Sequence, residues 1–347
     1  MNLYFCDDDF KRQEVMDVFS SLIWTKRYYT CGDFELYAPV TSQLSEWLSQ
    51  YKYVARDDEG GLMMIEDVEI KTDAENGDYY IISGQSIEGI LSWRVILPLT
   101  IIETNDAAEV VYKIIKENIG IDCLEPDRKV ANFLVDETFT LPANIKTQMR
   151  GANLMETITD FCMTYGFGFK VLPDNNGNFV FSLYQGRETE VIFSKEFDNV
   201  INTDYYKKTS TLRNAAMILG EGEGNARRFA YIGGAPIFGG LDLREIYVDA
   251  RDISSNDGEI GESDYLDMLL NRGREKLSEH KEVKGFEGEV EPNATYKYKI
   301  DYNLGDIVTV DNGYGAVARP RIIEIIESWD STGYKVIPTF EKWEAEE

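Results

Sequence analysis

His280 is the only histidine in the chain, and most catalytic designs would have to be built around it. Ser-His-Asp and Cys-His arrangements need an imidazole to move the nucleophile's proton, and zinc hydrolases need several as ligands. There is no HExxH, and one histidine cannot make a His-rich centre. The residue lies between Glu279 and Lys281-Glu282 at the expected end of a helix, where a polar capping role is ordinary. Four cysteines, Cys6, Cys31, Cys123 and Cys162, lack CxxC spacing, which argues against zinc and against a disulfide scaffold. Cys162 falls on the apolar face of a predicted helix and reads as a small core residue. Cys6 and Cys31 are candidates for neighbouring strands, with reduced thiols expected.

Two loops imitate binding motifs. Gly220-Glu221-Gly222-Glu223-Gly224 follows an apolar strand. Neither Gly220 nor Gly222 starts a complete GxGxxG, no Walker lysine follows, and two glutamates would face the phosphates. A flexible hairpin tip is the expectation. Asp252-Ile253-Ser254-Ser255-Asn256-Asp257-Gly258 starts like a calcium loop, but Asp257 stands where an EF-hand needs glycine and Ser263 where it needs glutamate. A solvated turn into a helix is expected there. Paired carboxylates leave no motif, because a glycosidase needs only two acids at the right separation. With 62 acidic residues chance pairs are everywhere, so Glu66, Asp67 and Glu69 receive no such role. The sequence therefore assigns no catalytic, cofactor-binding or metal-binding residue.

At 347 residues the chain is long for one core and implies two or three domains. Its hydrophobic content of 43% with 12% aromatics is ample for packed interiors. The net charge of −27 repels phosphate backbones and anionic lipid, so neither stable nucleic-acid binding nor membrane insertion is expected. Solubility is the plain use of that charge; an acidic channel wall past which DNA slides without sticking is the sharper one. The start, Met1-Asn2-Leu3-Tyr4-Phe5-Cys6-Asp7-Asp8-Asp9, turns acidic where a secretory leader stays apolar. No apolar run is long enough to span a bilayer. Folding in a cytoplasm is the expectation.

The elements that would position these residues fall into three blocks. Residues 1–103 read as a β-barrel-like domain, with a register carrying Val18, Leu22, Trp24 and Tyr28. A short helix from Ser42 to Tyr51 is followed by strands at Tyr53–Arg56, Gly61–Glu69 and Tyr79–Gly84. Asp73 to Asp78 supplies an Asn-Gly turn, and a short helix spans Ser86 to Trp93. Residues 104–196 read as an α+β module. Val110, Val111, Ile114, Ile115 and Ile119 form a helical stripe capped at Asn105 and stopped at Gly120. A second helix starts at Asn153 with Glu156 as capping box and ends at Gly166, and a hairpin turns through Asp174–Asn178. Residues 197–347 read as a second β-rich, barrel-like domain with one helix at about 264–280 and an acidic tail from Glu341 to Glu347. The class is α+β, mainly β, with two barrel-like domains flanking a smaller module.

Two blocks carry a resemblance. The first is Ser20-Ser21-Leu22-Ile23-Trp24-Thr25-Lys26-Arg27-Tyr28-Tyr29, a turn through Gly32-Asp33, then Phe34-Glu35-Leu36-Tyr37 and Pro39. The second is Tyr302-Asn303-Leu304-Gly305-Asp306-Ile307-Val308-Thr309-Val310, then Arg321-Ile322-Ile323-Glu324-Ile325-Ile326 and Gly333-Tyr334-Lys335-Val336. With the module between them, the chain resembles the phage baseplate hub family of tail-associated structural proteins over essentially its whole length. The resemblance implies a structural protein and not an enzyme. It implies a homotrimeric ring joining tail tube to spike or fibre apparatus and adapting six-fold to three-fold symmetry. Its expected partners are the tail tube, distal tail, tape measure and spike or fibre proteins of a virion or a contractile, bacteriocin-like particle. The alternatives are a carbohydrate-binding or carbohydrate-cleaving tail protein and a distal-tail or receptor-binding adaptor.

Overall fold

An eight-stranded antiparallel sheet runs through the molecule, and both ends of the chain build it. The computed structural model describes residues 1–341 apart from 59, 74–76, 198, 234–238, 257, 291–294, 312 and 314–316. Across the sheet the strands follow as Val200–Lys208, Val283–Val290, Gly333–Phe340, Ile322–Asp330, Ser21–Arg27, Asp33–Pro39, Gly77–Gln85 and Asp67–Asp73. The halves meet where Ile322–Asp330 pairs with Ser21–Arg27, with Ile23 opposite Ser328 and Trp24 opposite Glu327. A period of two sets the faces. Leu22, Trp24, Phe34, Leu36 and Ala38 are buried, while Ile23, Glu35 and Tyr37 between them are not.

The two halves repeat one arrangement. Numbered along the chain, each half has its four strands in the spatial order first, second, fourth, third. Each half also has the same face covered by a smaller sheet. Over the N-terminal half lie Arg12–Met16, Leu3–Cys6, Tyr53–Arg56 and Leu62–Met64. With helix α1 (Ser42–Gln50) they enclose Leu3, Phe5, Trp24, Leu36, Leu44 and Ile82. Gly84 makes that approach possible, since a Cβ there would stand 1.9 Å from the Met64 carbonyl oxygen. Over the C-terminal half lie Glu188–Ser194, Ile307–Asp311 and Val317–Ala318, enclosing Phe193, Tyr302, Val310, Ile325, Val336 and Phe340. Two small-sheet strands precede the first large-sheet strand of the N-terminal half and one precedes that of the C-terminal half; in both halves the next two lie in sequence between the second and third large-sheet strands.

Helices α2 (Ala107–Asn118) and α3 (Leu154–Tyr165) pack with the sheet Phe133–Asp136, Phe179–Tyr184, Gly168–Pro173 in a separate core. Helix α2 is capped by Asp106, whose carboxylate accepts the Ala108 N–H, one residue beyond the expected Asn105. Helix α3 begins on Asn153 and ends on a left-handed Gly166. Helix α4 (Glu262–Ser278) covers one face of a three-stranded sheet, Phe229–Ile232, Ala215–Leu219 and Glu245–Asp249. The fold is α+β and mainly β, in several sheets. The stretch Gly61–Glu69, expected as one strand, divides between Leu62–Met64 in the small sheet and Asp67–Asp73 in the large one. Of the expected turn after Asp73, residues 74–76 lie outside the described residues, as do 342–347 of the acidic tail.

Candidate assembly surface

Each motif singled out in the sequence is occupied by local structure. Gly220–Gly224 joins two antiparallel strands as a hairpin tip, and it is tied down. The Glu221 N–H donates to the Tyr265 hydroxyl at 2.8 Å, and the Glu221 carboxylate accepts from Ser255 N–H at 3.0 Å and Arg228 at 2.9 Å. In the Asp252 loop both carboxylate oxygens accept from Arg272, at 3.2 and 2.9 Å, and Ile253 is buried. His280 closes α4: its Nδ1 lies 2.9 Å from the Lys276 carbonyl. All four cysteines are free. Cys6 and Cys31 do not sit on neighbouring strands, since the register partners of Cys6 are Arg12 and Tyr53. Burial pushes the Cys6 thiol up to about 11, a poor nucleophile. Glu66 precedes the edge strand on which Asp67 and Glu69 lie exposed.

Sequence reasoning missed the surface on which acidic residues gather. The large-sheet face opposite the two small sheets carries a row Lys335, Ser328, Ile23, Glu35, Ser83, Asp67 across six strands. The next rung on the N-terminal half reads Ser21, Tyr37, Ile81, Glu69. Arg27, on the same face, bonds Asp33 at 2.5 Å and Glu324 at 2.6 Å. Burial opposes its charge, yet these two carboxylates hold its pKa above the usual guanidinium range. A hydrogen bond with Glu35 likewise pushes the Tyr37 phenol up. Carboxylates therefore predominate on this face, and Arg27 is shared between two of them. The signal was legible in the alternation Asp33-Phe34-Glu35-Leu36-Tyr37.

Two open edges flank this face. Among the described residues, no strand lies beyond Asp67–Asp73 or beyond Val200–Lys208. Val68 and Ile70 at the first edge are 47% and 55% exposed, and unpaired strand edges with apolar side chains are templates for pairing. Eight alternating strands leave the two edges antiparallel to each other, so a second copy extends the sheet without a break in alternation.

Behind the junction of the halves sits a buried charge cluster. Arg56 of the small sheet donates to Glu327 at 2.9 and 3.1 Å and to Asp58 at 2.8 and 2.5 Å. Its guanidinium lies 5.3 and 4.4 Å from the ring centres of Trp24 and Trp329. The cluster fixes the small sheet across the seam where the N- and C-terminal halves meet.

The fold is that of prophage tail proteins. The chain is similar to the 43 kDa tail protein of prophage MuSo2 from Shewanella oneidensis, at 14% identity and a TM-score of 0.56 over 99% of this chain and 98% of that one. A tail protein from Neisseria meningitidis MC58 matches at 11% identity and a TM-score of 0.59, covering 98% and 95%. Prophage tail protein gp18 from Listeria monocytogenes EGD-e matches at 13% identity and a TM-score of 0.53, covering 99% and 96%. No curated protein sequence matches the chain. By sequence the chain belongs to the Siphovirus ReqiPepy6 Gp37-like protein family, whose model matches residues 1–340.

Proposed function

We propose that this protein is the baseplate hub of a siphovirus-type tail, a homotrimeric ring between tail tube and spike or fibre apparatus. One observation carries the reading: a single chain holds two copies of one sheet unit, placed head to tail in one continuous sheet. Inside the chain the third strand of one unit, Ile322–Asp330, pairs with the first strand of the other, Ser21–Arg27. The open edges are again a third strand, Asp67–Asp73, and a first strand, Val200–Lys208. A ring of three copies joined edge to edge repeats the internal junction between chains and presents six similar units to a six-fold tube. Head-to-tail contacts close into a ring where the rotation between copies closes. The acidic face then lines the channel, where it repels DNA phosphates and lets the genome pass. No catalytic role is proposed. The tube, distal tail, tape measure and spike or fibre proteins are its partners, met during assembly in the bacterial cytoplasm.

Light scattering on the purified chain over a concentration series tests this reading. A mass near three times the 39.7 kDa chain supports it. A monomer at every concentration, unchanged by added tail tube protein, overturns it.

A further inference from the structure

The described residues of 209–282 form a lobe with its own interior. Ile218, Val248, Tyr265, Met268 and Leu269 are among its core residues, and the members and flanking apolar side chains of that core all lie within 216–277. The chain enters through Val200–Lys208 and leaves through Val283–Val290, strands that pair with each other down to Lys208 opposite Val283. The lobe thus hangs on a two-strand stalk. Its docking onto the α2–α3 module, by α4 against α3 and the strand Pro142–Met149, includes a set of polar contacts. Lys146 meets Asp264 at 2.9 Å, the Asn271 side chain donates to the Lys146 carbonyl at 3.1 Å, and the Gln148 side chain donates to the Asp252 carbonyl at 3.3 Å.

At the centre of this contact is a cavity of about 130 Å³ bordered by Thr147, Glu156, Asp160, Phe161, Arg272 and Glu275. The ionisable groups around it do not balance. Arg272 is committed to Asp252 and reaches Glu275 only at 3.9 Å. Lys276 is divided between Glu279 at 2.7 Å and Asp160 at 3.5 Å. Two cations therefore serve four carboxylates, with Glu156 of α3 on the rim. Glu275 and Arg274 stand within electrostatic range of Tyr165, His280 bonds the Lys276 carbonyl, and Lys146 is engaged by Asp264 and Glu103.

We propose that the lobe is a proton-gated arm: a proton held by Asp160 or Glu275 keeps it docked on α3, and loss of that proton releases it. Burial raises the Asp160 carboxyl to about 6 and the Glu275 carboxyl to about 7. Groups raised in the docked state favour docking in full below the ordinary carboxylate value of about 4, and that contribution disappears as pH rises through 6 to 7. Above that window like charges face one another across a poorly solvated gap, while the lobe's own apolar core is untouched.

Amide hydrogen exchange of the full chain, corrected for the intrinsic effect of pH and followed from about pH 5 to about pH 8, tests this. Protection of residues 154–165 and 142–149 is expected to fall about tenfold per pH unit for each proton released, while Ala215–Leu219 within the lobe keeps its protection. Glu275→Gln and Asp160→Asn are each expected to hold the arm docked at the alkaline end. His280→Gln is expected to leave the transition in place. A flat profile in the native chain overturns the proposal, as does a transition that survives both carboxamide variants or vanishes in His280→Gln. Should either carboxamide variant fail to fold, the native profile decides alone.

Discussion

Replacing Arg56 by alanine removes the cation on which the seam of the large sheet depends. Arg56 and Glu327 are both fully buried, and they come from different layers: Arg56 from the small N-terminal sheet and Glu327 from the C-terminal half of the large one. In Arg56→Ala the Glu327 carboxylate stays buried. It keeps the Tyr334 hydroxyl at 2.8 Å and the more distant Lys26 and Lys299 at 3.7 and 3.9 Å. Stranding one partner of a buried ion pair costs about 3–5 kcal/mol. Loss of the stacking on Trp24 and Trp329 adds about 1–2 kcal/mol, which the two lysines partly offset. For a cooperative unit of this size, about 3–5 kcal/mol lowers Tm by on the order of 10 °C. Trp24 and Trp329 flank the site, so thermal unfolding followed by tryptophan fluorescence reads the change locally. The double variant Arg56→Met with Glu327→Leu is expected to recover most of the loss, because it removes the desolvation cost of both charges. A single variant within about 1 kcal/mol of the native chain, the scale of a surface pair, would refute the reasoning. So would a double variant less stable than the single one.

Three further outcomes follow from the same geometry. Val68→Lys with Ile70→Lys places charge on the exposed edge strand, and is expected to leave the monomer folded by circular dichroism while abolishing the proposed trimer in light scattering. Gly305→Ala is expected to cost a few kcal/mol, read as a lower urea midpoint: φ is +94° there, and a Cβ would stand 2.3 Å from the Tyr28 ring. Burial opposes ionisation of Asp58, but Arg56 and Lys299 outweigh it and hold its carboxyl far below the usual range. Its contribution is present above the ordinary carboxylate value of about 4 and is lost as pH falls toward its folded value. The thermal midpoint is therefore expected to drop below about pH 4, and less steeply in Asp58→Asn.

Local structure was legible where chain neighbours decide it. The Asn153 cap, the Gly166 stop and the apolar stripe between them define α3 from sequence alone, because capping and periodicity act within a few residues. Of the register read from the first strand, Leu22, Trp24 and Tyr28 are buried, whereas Val18, ahead of the strand, is exposed. The alternation could not tell that Arg27 would bond Glu324, since a period of two fixes a face and leaves the partner strand open. The strand Phe133–Asp136 escaped for a related reason: it pairs in parallel with Phe179–Tyr184 through a long crossover, and four residues carry little pattern. The Gly220–Gly224 tip was expected to be flexible and is pinned instead, by a tyrosine on α4 whose approach only the lobe's packing determines. The acidic face was written in the polar register of the first strands, but its extent depended on the pairing of the two halves.

That pairing also bears on why an assembly protein would carry two units in one chain. In a ring of identical single units every junction has the same sequence, and a mutation that improves one alters all. Here the internal junction is covalently guaranteed and is reinforced by Arg27 with Glu324 and by the Arg56 cluster behind it. In the proposed ring the junction between chains would have the same strand positions, third against first, with a different sequence: Asp67–Asp73 on one side and Val200–Lys208 on the other. The internal seam can therefore be permanent and dry while the outer one stays weak enough to form only where a template holds the copies in place. Exposed Val68 and Ile70 would supply the apolar contact for that outer seam of the proposed ring, and flanking charges such as Glu69 and Lys71 on the same strand disfavour indiscriminate pairing. An edge of this composition suits a ring that closes at a fixed number of copies, because closure leaves no edge free for another chain.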